Sequence, residues 1–240
     1  MDYIWSKQRL SDRIRYLRRE IDRLPQGCCI TSHGVVHVRI KNGNTFRQYS
    51  TRKDEGKAYY EQICKRNKMI GELQSLEAEW KERFGGDELL EPKPRTPSIL
   101  WTITSIYYDS LQNCANNYYT NKAYMFKGMR MRSKNEVIFA GVLDSLNLDF
   151  KYEPIIQLNG RAVSPDFAVN VPERGNCMYF EIVGMVDDPK YRESFYKKLD
   201  AYLEAGFIPG EDVFFLFFNS KNIPDTAALV SRVVCAVEQR

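Results

Sequence analysis

The sequence predicts an α/β protein of the α+β kind, a mixed central sheet flanked by helices, preceded by a small domain of helix, three-stranded sheet and helix. Three observations lead there. After residue 132 the pattern runs helix, three strands, helix, strand, helix, the order of a layered α/β core. Before residue 85, two amphipathic seams bracket three short strand patterns. Between the two regions, Gly85-Gly86 opens a charged stretch containing Pro92, Pro94 and Pro97, a composition that stiffens and extends rather than packs. The expected organisation is therefore a domain over 1–85, a linker over 86–97 and a domain over 98–240.

In the first domain Leu10, Ile14, Leu17, Ile21 and Leu24 recur at spacings of four and three, the stripe of a helix that ends near Pro25-Gln26-Gly27. Met69, Leu73, Leu76, Trp80 and Phe84 form a matching stripe on a second helix, and the two stripes are expected to pack antiparallel. Thr51, three residues before Asp54, is the expected cap of that second helix. Residues 28–32, 35–40 and 45–50 read as strands, with turns at His33-Gly34 and at Lys41-Asn42-Gly43-Asn44. Alternation in the middle strand puts Val36, Val38 and Ile40 on one face and His37, Arg39 and Lys41 on the other, with Arg47 or Gln48 beside them.

In the second domain residues 98–119 are aromatic and expected to be helical, with Trp101, Tyr107, Tyr108, Tyr118 and Tyr119 mostly in the core. Arg132-Ser133-Lys134-Asn135-Glu136 then opens a helix, Ser133 as cap and Glu136 as its acid partner. Strands follow at 150–158, 163–169 and 177–183, the first two joined at Asn159-Gly160. A helix over 191–205 crosses to a parallel strand at 213–218, and a helix over 226–238 closes the chain.

Composition limits the function classes. At 240 residues, 43% hydrophobic and 13% aromatic, the chain can bury a sizeable core. A mean hydropathy of −0.48 and the lack of any apolar run near membrane length exclude a spanning helix, and no secretory leader opens the sequence, so a cytoplasmic setting is expected. Six scattered cysteines with no C-x-x-C pair suggest neither a zinc site nor a disulfide framework. The net charge of +4 is mild, but Lys and Arg crowd the first 70 residues, which suits a polyanion such as DNA or RNA. A solvated face of a charged helical hairpin is the alternative reading. Arg13, Arg39, Arg47, Arg132, Lys134 and Tyr202 are the expected nucleic-acid contacts.

The chemistry concentrates in two acids. Asp166 sits among Val163, Phe167 and Val169, and Glu181 between Phe180 and Ile182 on a neighbouring strand. An unpaired carboxylate in such surroundings is costly, and a hard divalent cation would offset that cost. Asp166, Glu181 and the backbone carbonyl of Ile182 could hold Mg²⁺ or Mn²⁺. The alternative is a pair of strand-end acids matched with Arg161 and Lys198. Glu136 likewise has two available roles, capping its helix or serving the site as an outer acid. With only His33 and His37, neither in a partner motif, and no glycine-rich phosphate loop, a Ser-His-Asp hydrolase or an ATPase is not indicated.

On these residues a resemblance becomes specific. Arg132-Ser133-Lys134-Asn135-Glu136, Tyr152-Glu153, Pro165-Asp166-Phe167, Glu181 and Gly184-Met185-Val186-Asp187-Asp188-Pro189-Lys190-Tyr191 resemble the PD-(D/E)XK nuclease superfamily, in particular a bacterial branch of nuclease-like proteins. The resemblance spans residues 132–218. It implies a restriction-endonuclease-like core with Asp166 and Glu181 as metal ligands, Glu136 as the helix acid, and hydrolysis of a phosphodiester by a metal-bound water. The chain departs from the pattern at Val183, where the family's lysine would stand, and at Ile182, where the closer relatives tend to carry histidine. The family tolerates migration of the lysine to a neighbouring helix, and Lys198, one turn before Tyr202, is the residue expected to take its place. A homodimer would supply two such sites for cutting both strands. If the lysine is not replaced, the same fold serves as an inactive DNA- or protein-binding module, and the N-terminal hairpin could equally act as an adaptor.

Overall fold

The structure is a computed structural model that describes residues 4–92, 100–115, 124–185, 187–218 and 224–239. It is a mixed α and β chain that divides into two compact units, residues 5–93 and residues 94–240 with 1–4.

The N-terminal unit begins with α1 (Lys7–Arg23), capped by Ser6, whose hydroxyl accepts from the amide of Arg9 at 3.1 Å. Then come β1 (Gly27–Ser32), β2 (Val35–Asn42), β3 (Thr45–Ser50) and the long α2 (Asp54–Phe84). The helices pack as their stripes require: Leu10 and Ile14 lie against Trp80, Leu17 and Ile21 against Met69, an antiparallel arrangement. The three strands form an antiparallel meander in the order β1-β2-β3. Val38 is fully buried and Arg39 and Lys41 are exposed, so the alternation holds in β2. Register places Arg39 opposite Gln48 and Lys41 opposite Phe46, which puts Arg47, opposite Ile40, on the other face from Arg39.

Two expectations for this unit fail. Thr51 does not cap α2; its hydroxyl donates to the carbonyl of Val36 at 2.8 Å, tying the chain to the central strand β2, and Lys53 precedes the helix without a capping side chain. Residues 86–92 are not an extended linker. Leu89 and Leu90 join the cluster around Leu10, Ile14 and Trp80, the Trp80 indole donates to the carbonyl of Asp87 at 2.8 Å, and Arg15 donates to the carbonyls of Leu89 and Leu90. Apolar burial and satisfied carbonyls hold residues 87–90 against the helices. Residues 93–97 lie outside the described residues.

In the C-terminal unit the described part of the expected helix over 98–119, residues 100–115, carries a 3-10 turn at Trp101–Ile103 and the short α3 (Ser105–Ser110) rather than one long helix. Lys151 ends α3 by donating to the carbonyls of Tyr108 and Leu111 at 2.6 and 2.5 Å. Tyr108 is buried, Trp101 is exposed, and Tyr118 and Tyr119 lie outside the described residues. A small hairpin of β4 (Tyr124–Phe126) and β5 (Met129–Met131) precedes α4 (Lys134–Ser145). The expected strand over 150–158 is two, β6 (Phe150–Tyr152) and β7 (Ile156–Leu158), broken at Glu153-Pro154, where Glu153 takes φ 42°. The expected strand over 163–169 is likewise split into β8 (Arg161–Val163), paired with β7, and β9 (Phe167–Val171). After β10 (Asn176–Val183) follow α5 (Pro189–Glu204), β11 (Val213–Phe217) and α6 (Thr226–Gln239).

The central sheet has the order β11-β10-β9-β6, with β10 and β11 parallel and the other pairs antiparallel, so it is mixed as expected. One face carries Phe167 and Phe180, between which Phe139 of α4 seats its ring at centroid distances of 5.1 and 5.2 Å. The opposite face carries Tyr179, Ala168 and Phe215, against which Tyr202 and Phe195 of α5 pack. Helices on both faces of this sheet leave the ends of β6, β9 and β10 as the place where side chains of three strands meet. No helix of the described residues is long and apolar enough to cross a membrane.

Candidate active site

The sheet register assembles the site. The last pair of β9 and β10 is Phe167 with Phe180, so Asp166, one residue earlier, comes opposite Glu181 and on the same face of the sheet. The last pair of β6 and β9 is Tyr152 with Phe167, so Glu153 comes beside Asp166, and its amide donates to the Asp166 carbonyl at 2.9 Å. A row of buried acids, Glu153 after β6, Asp166 before β9 and Glu181 within β10, therefore crosses three neighbouring strands.

Each acid is held in place. Asp166 accepts from the Ile182 amide at 2.6 Å and from the Arg132 guanidinium at 2.9 Å. Glu181 accepts from Lys198 Nζ at 2.5 Å and from the Tyr202 hydroxyl at 2.6 Å. Arg132 reaches Glu153 as well, at 2.5 Å. Glu136 serves both roles that its position allows. It closes the capping box with Ser133, and its carboxylate also accepts from the Arg132 amide at 2.9 Å and the buried Tyr152 hydroxyl at 2.7 Å. Glu136, Asp166, Glu181 and Lys198 line one cleft of about 830 Å³, together with Arg132, Lys134 and Ile182.

Burial dominates the electrostatics. It pushes the Glu181 carboxyl up to about 7, although Lys198 and Tyr202 favour its charge. Burial also raises Glu153 to about 7, partly offset by Arg132. For Lys198, burial works against the ammonium, but Glu181 and Asp166 outweigh it, so the lysine is held charged. Burial and the neighbouring Glu181 push the Tyr202 hydroxyl well up, which keeps it a hydrogen-bond donor.

The cluster thus brings four carboxylates, Glu136, Glu153, Asp166 and Glu181, against two cations, Arg132 and Lys198. Above about pH 7, where Glu153 and Glu181 are ionised as well, two negative charges remain, the deficit that one divalent cation would neutralise. The donors are hard oxygens, which suit Mg²⁺ or Mn²⁺. Among the described residues no group of three or more His, Cys, Asp or Glu side chains is placed to hold an ion. What the chain offers is the facing pair Asp166 and Glu181, and Mg²⁺ is commonly held by one or two carboxylates with waters and phosphates completing its shell. These donors suit such an ion by type, and each oxygen of the pair already has a protein partner in Arg132, Ile182, Lys198 or Tyr202. The Ile182 carbonyl is met by the Tyr191 hydroxyl at 3.4 Å, while its amide serves Asp166, so the structure engages both backbone groups of Ile182.

The expected nucleic-acid contacts divide. Tyr202 is completely buried and committed to Glu181, so it cannot touch a polymer; its spacing from Lys198 marks a core-facing stripe instead. Arg13 is held by both carboxylate oxygens of Glu72 at the α1–α2 contact. Arg132 is occupied by Asp166 and Glu153. Arg39, Arg47 and Lys134 are exposed. Arg161, the alternative partner for the acids, pairs with Glu204 instead. Glu153 is the site residue to which the sequence assigns no role. Its one signal is the Tyr152-Glu153 pair followed by proline, and only the β6–β9 register brings it to Asp166. In comparisons with known proteins, no family model, no curated protein and no solved structure matches this chain.

Proposed function

We propose that the chain is a divalent-metal-dependent phosphodiesterase acting on nucleic acid, DNA before RNA, with a restriction-endonuclease-like core of the PD-(D/E)XK kind. The observation that carries this reading is Lys198: from α5 it places its ammonium on Glu181, opposite Asp166, in the cleft where Val183 offers only a methyl-bearing side chain. Asp166 and Glu181 would hold Mg²⁺ or Mn²⁺, which when bound lowers the pKa of its water and offsets charge on the phosphate. The chain's own part is positioning and charge. The Ile182 amide and Arg132 fix the Asp166 carboxylate, and the Tyr202 hydroxyl fixes Glu181. Lys198, held protonated, stabilises negative charge that develops on the phosphate and orients the attacking water rather than taking its proton. Glu136 holds the Arg132 backbone and so sets the wall of the cleft.

Plasmid or short duplex incubated with Mg²⁺ or Mn²⁺ tests this. Cleavage by the wild-type chain that disappears in Asp166→Ala and falls sharply in Lys198→Ala is the expected result. Persistence in Asp166→Ala would sink the metal site, and normal cutting by Lys198→Ala would sink the role of the lysine alone. A second reading, a binding module without catalysis, is favoured by one observation: the oxygens of Asp166 and Glu181 already have partners in Ile182, Arg132, Lys198 and Tyr202. Binding of duplex without cleavage under either metal would select it.

A further inference from the structure

We propose that Glu153 is a positioning residue that sets the cation affinity of Asp166 through Arg132; the proposal rests on the metal-dependent reading above. Glu153 sits where β6 ends, with φ 42°, a left-handed backbone that glutamate rarely adopts and that is retained only where the surroundings enforce it. It is buried, its amide is tied to the Asp166 carbonyl, and its carboxylate meets the Arg132 guanidinium at 2.5 Å. The strained position therefore brings a carboxylate to Nε of Arg132, beside the Nη2 that touches Asp166.

Arg132 cannot simply drift away from that place. Its amide donates to Glu136, so the start of α4 fixes where its side chain begins, and its guanidinium spans Glu153 and Asp166. Arginine suits this role because its planar fork can serve two carboxylates at once. A guanidinium on Asp166 and a divalent cation on Asp166 repel one another and compete for the same charge. Glu153 offers the guanidinium a second carboxylate, so a cation arriving at Asp166 need not leave Arg132 unpaired in a buried setting. Neutralising Glu153 commits Arg132 wholly to Asp166, whereas removing Arg132 leaves Asp166 open. The two changes act on cation affinity with opposite signs, which a general loss of structure would not produce.

Binding of Mn²⁺ to the full chain without nucleic acid, followed by the electron paramagnetic resonance of the free ion, reads this directly. Glu153→Gln should weaken binding and Arg132→Met should tighten it, each by about tenfold, the scale on which partners of metal ligands act. In the Arg132→Met background, Glu153→Gln should have far less effect. Should Arg132→Met fail to fold, Arg132→Lys, which keeps the charge but loses the fork, should tighten binding less strongly. Shifts of the same sign for Glu153→Gln and Arg132→Met, or an equal effect of Glu153→Gln in both backgrounds, would overturn the proposal while leaving the metal reading intact. Failure of folded wild type and of every folded variant to take up Mn²⁺ would overturn the metal reading and this proposal with it. Uptake by Arg132→Met alone would support both.

Discussion

Glu181 carries most of the tension in this molecule, because burial and a lysine pull its proton in opposite directions. Its folded-state pKa of about 7 lies above the ordinary carboxylate value of 4.5, so the folded chain binds a proton that the unfolded chain releases. The stabilisation linked to that proton is complete below the unfolded value and is lost as pH rises through the folded one. Glu153, raised to about 7 as well, adds in the same direction. In the absence of divalent ions, stability measured by urea denaturation should therefore fall between about pH 5 and about pH 7.5, by about 1.4 kcal/mol for each pH unit that separates a folded-state pKa from its unfolded one. Glu181→Gln should flatten that fall, and added Mg²⁺ should reduce it; stability that climbs over the same window would contradict the electrostatics described. Lys198 is the complementary case. Removing it leaves a buried carboxylate without its cation, and because the lysine side chain is 28% exposed the cost should fall below the 3–5 kcal/mol of fully buried pairs, at about 2 kcal/mol. The double variant Lys198→Met with Glu181→Gln should recover much of that loss, measured by the same denaturation.

Whole elements rather than single charges decide where the acids end up, and they differ in how far the sequence discloses them. The stripes of α1 and α2 are legible because burial there follows the helical period over several turns, Leu10 to Ile21 and Met69 to Trp80. The capping box of α4 is legible because Ser133 and Glu136 act within one turn. By contrast β4 and β5 have three residues each, too short for any period, and the left-handed Lys127-Gly128 turn between them is the only local sign. The row of Glu153, Asp166 and Glu181 depends on register across strands far apart in the chain, which no local pattern encodes. Two substitutions test the elements that seat these residues. Phe139→Ala removes the ring between Phe167 and Phe180 and should cost about 3–5 kcal/mol. Gly56→Ala, normally favourable in a helix, should instead destabilise by about 1–3 kcal/mol, since the added methyl would lie 2.1 Å from the Ser50 carbonyl oxygen. A higher melting temperature for Gly56→Ala would show that α2 can shift off the end of β3.

Over the whole molecule the charge is divided against the chemistry. Residues 5–93 contain nineteen Lys and Arg against thirteen Asp and Glu, a net +6, so the remainder of a chain that totals +4 is net −2. The unit with the acid cluster is thus the one less suited to attract a polyanion, and attraction falls to the N-terminal unit. Within that unit the cations are not equivalent. Arg13 and Arg18 are paired with Glu72 and Glu77, whereas Arg39 and Lys41 stand on the open face of the meander and form no ion pair among the described residues. A cation already neutralised by a carboxylate releases no phosphate counterion, while one in water does. Duplex binding by the full chain, measured across salt concentrations, should therefore weaken in Arg39→Gln and Lys41→Gln, with the slope of log K against log salt shallower by about 0.9 for each phosphate that is no longer neutralised. Arg13→Gln should leave that slope unchanged and instead lower the melting temperature, because it strips Glu72 of its partner at the α1–α2 contact. An unchanged slope in Arg39→Gln and Lys41→Gln would leave the open face of the meander as a solvated surface and move the search for the polyanion contact to the exposed Lys134 beside the cleft.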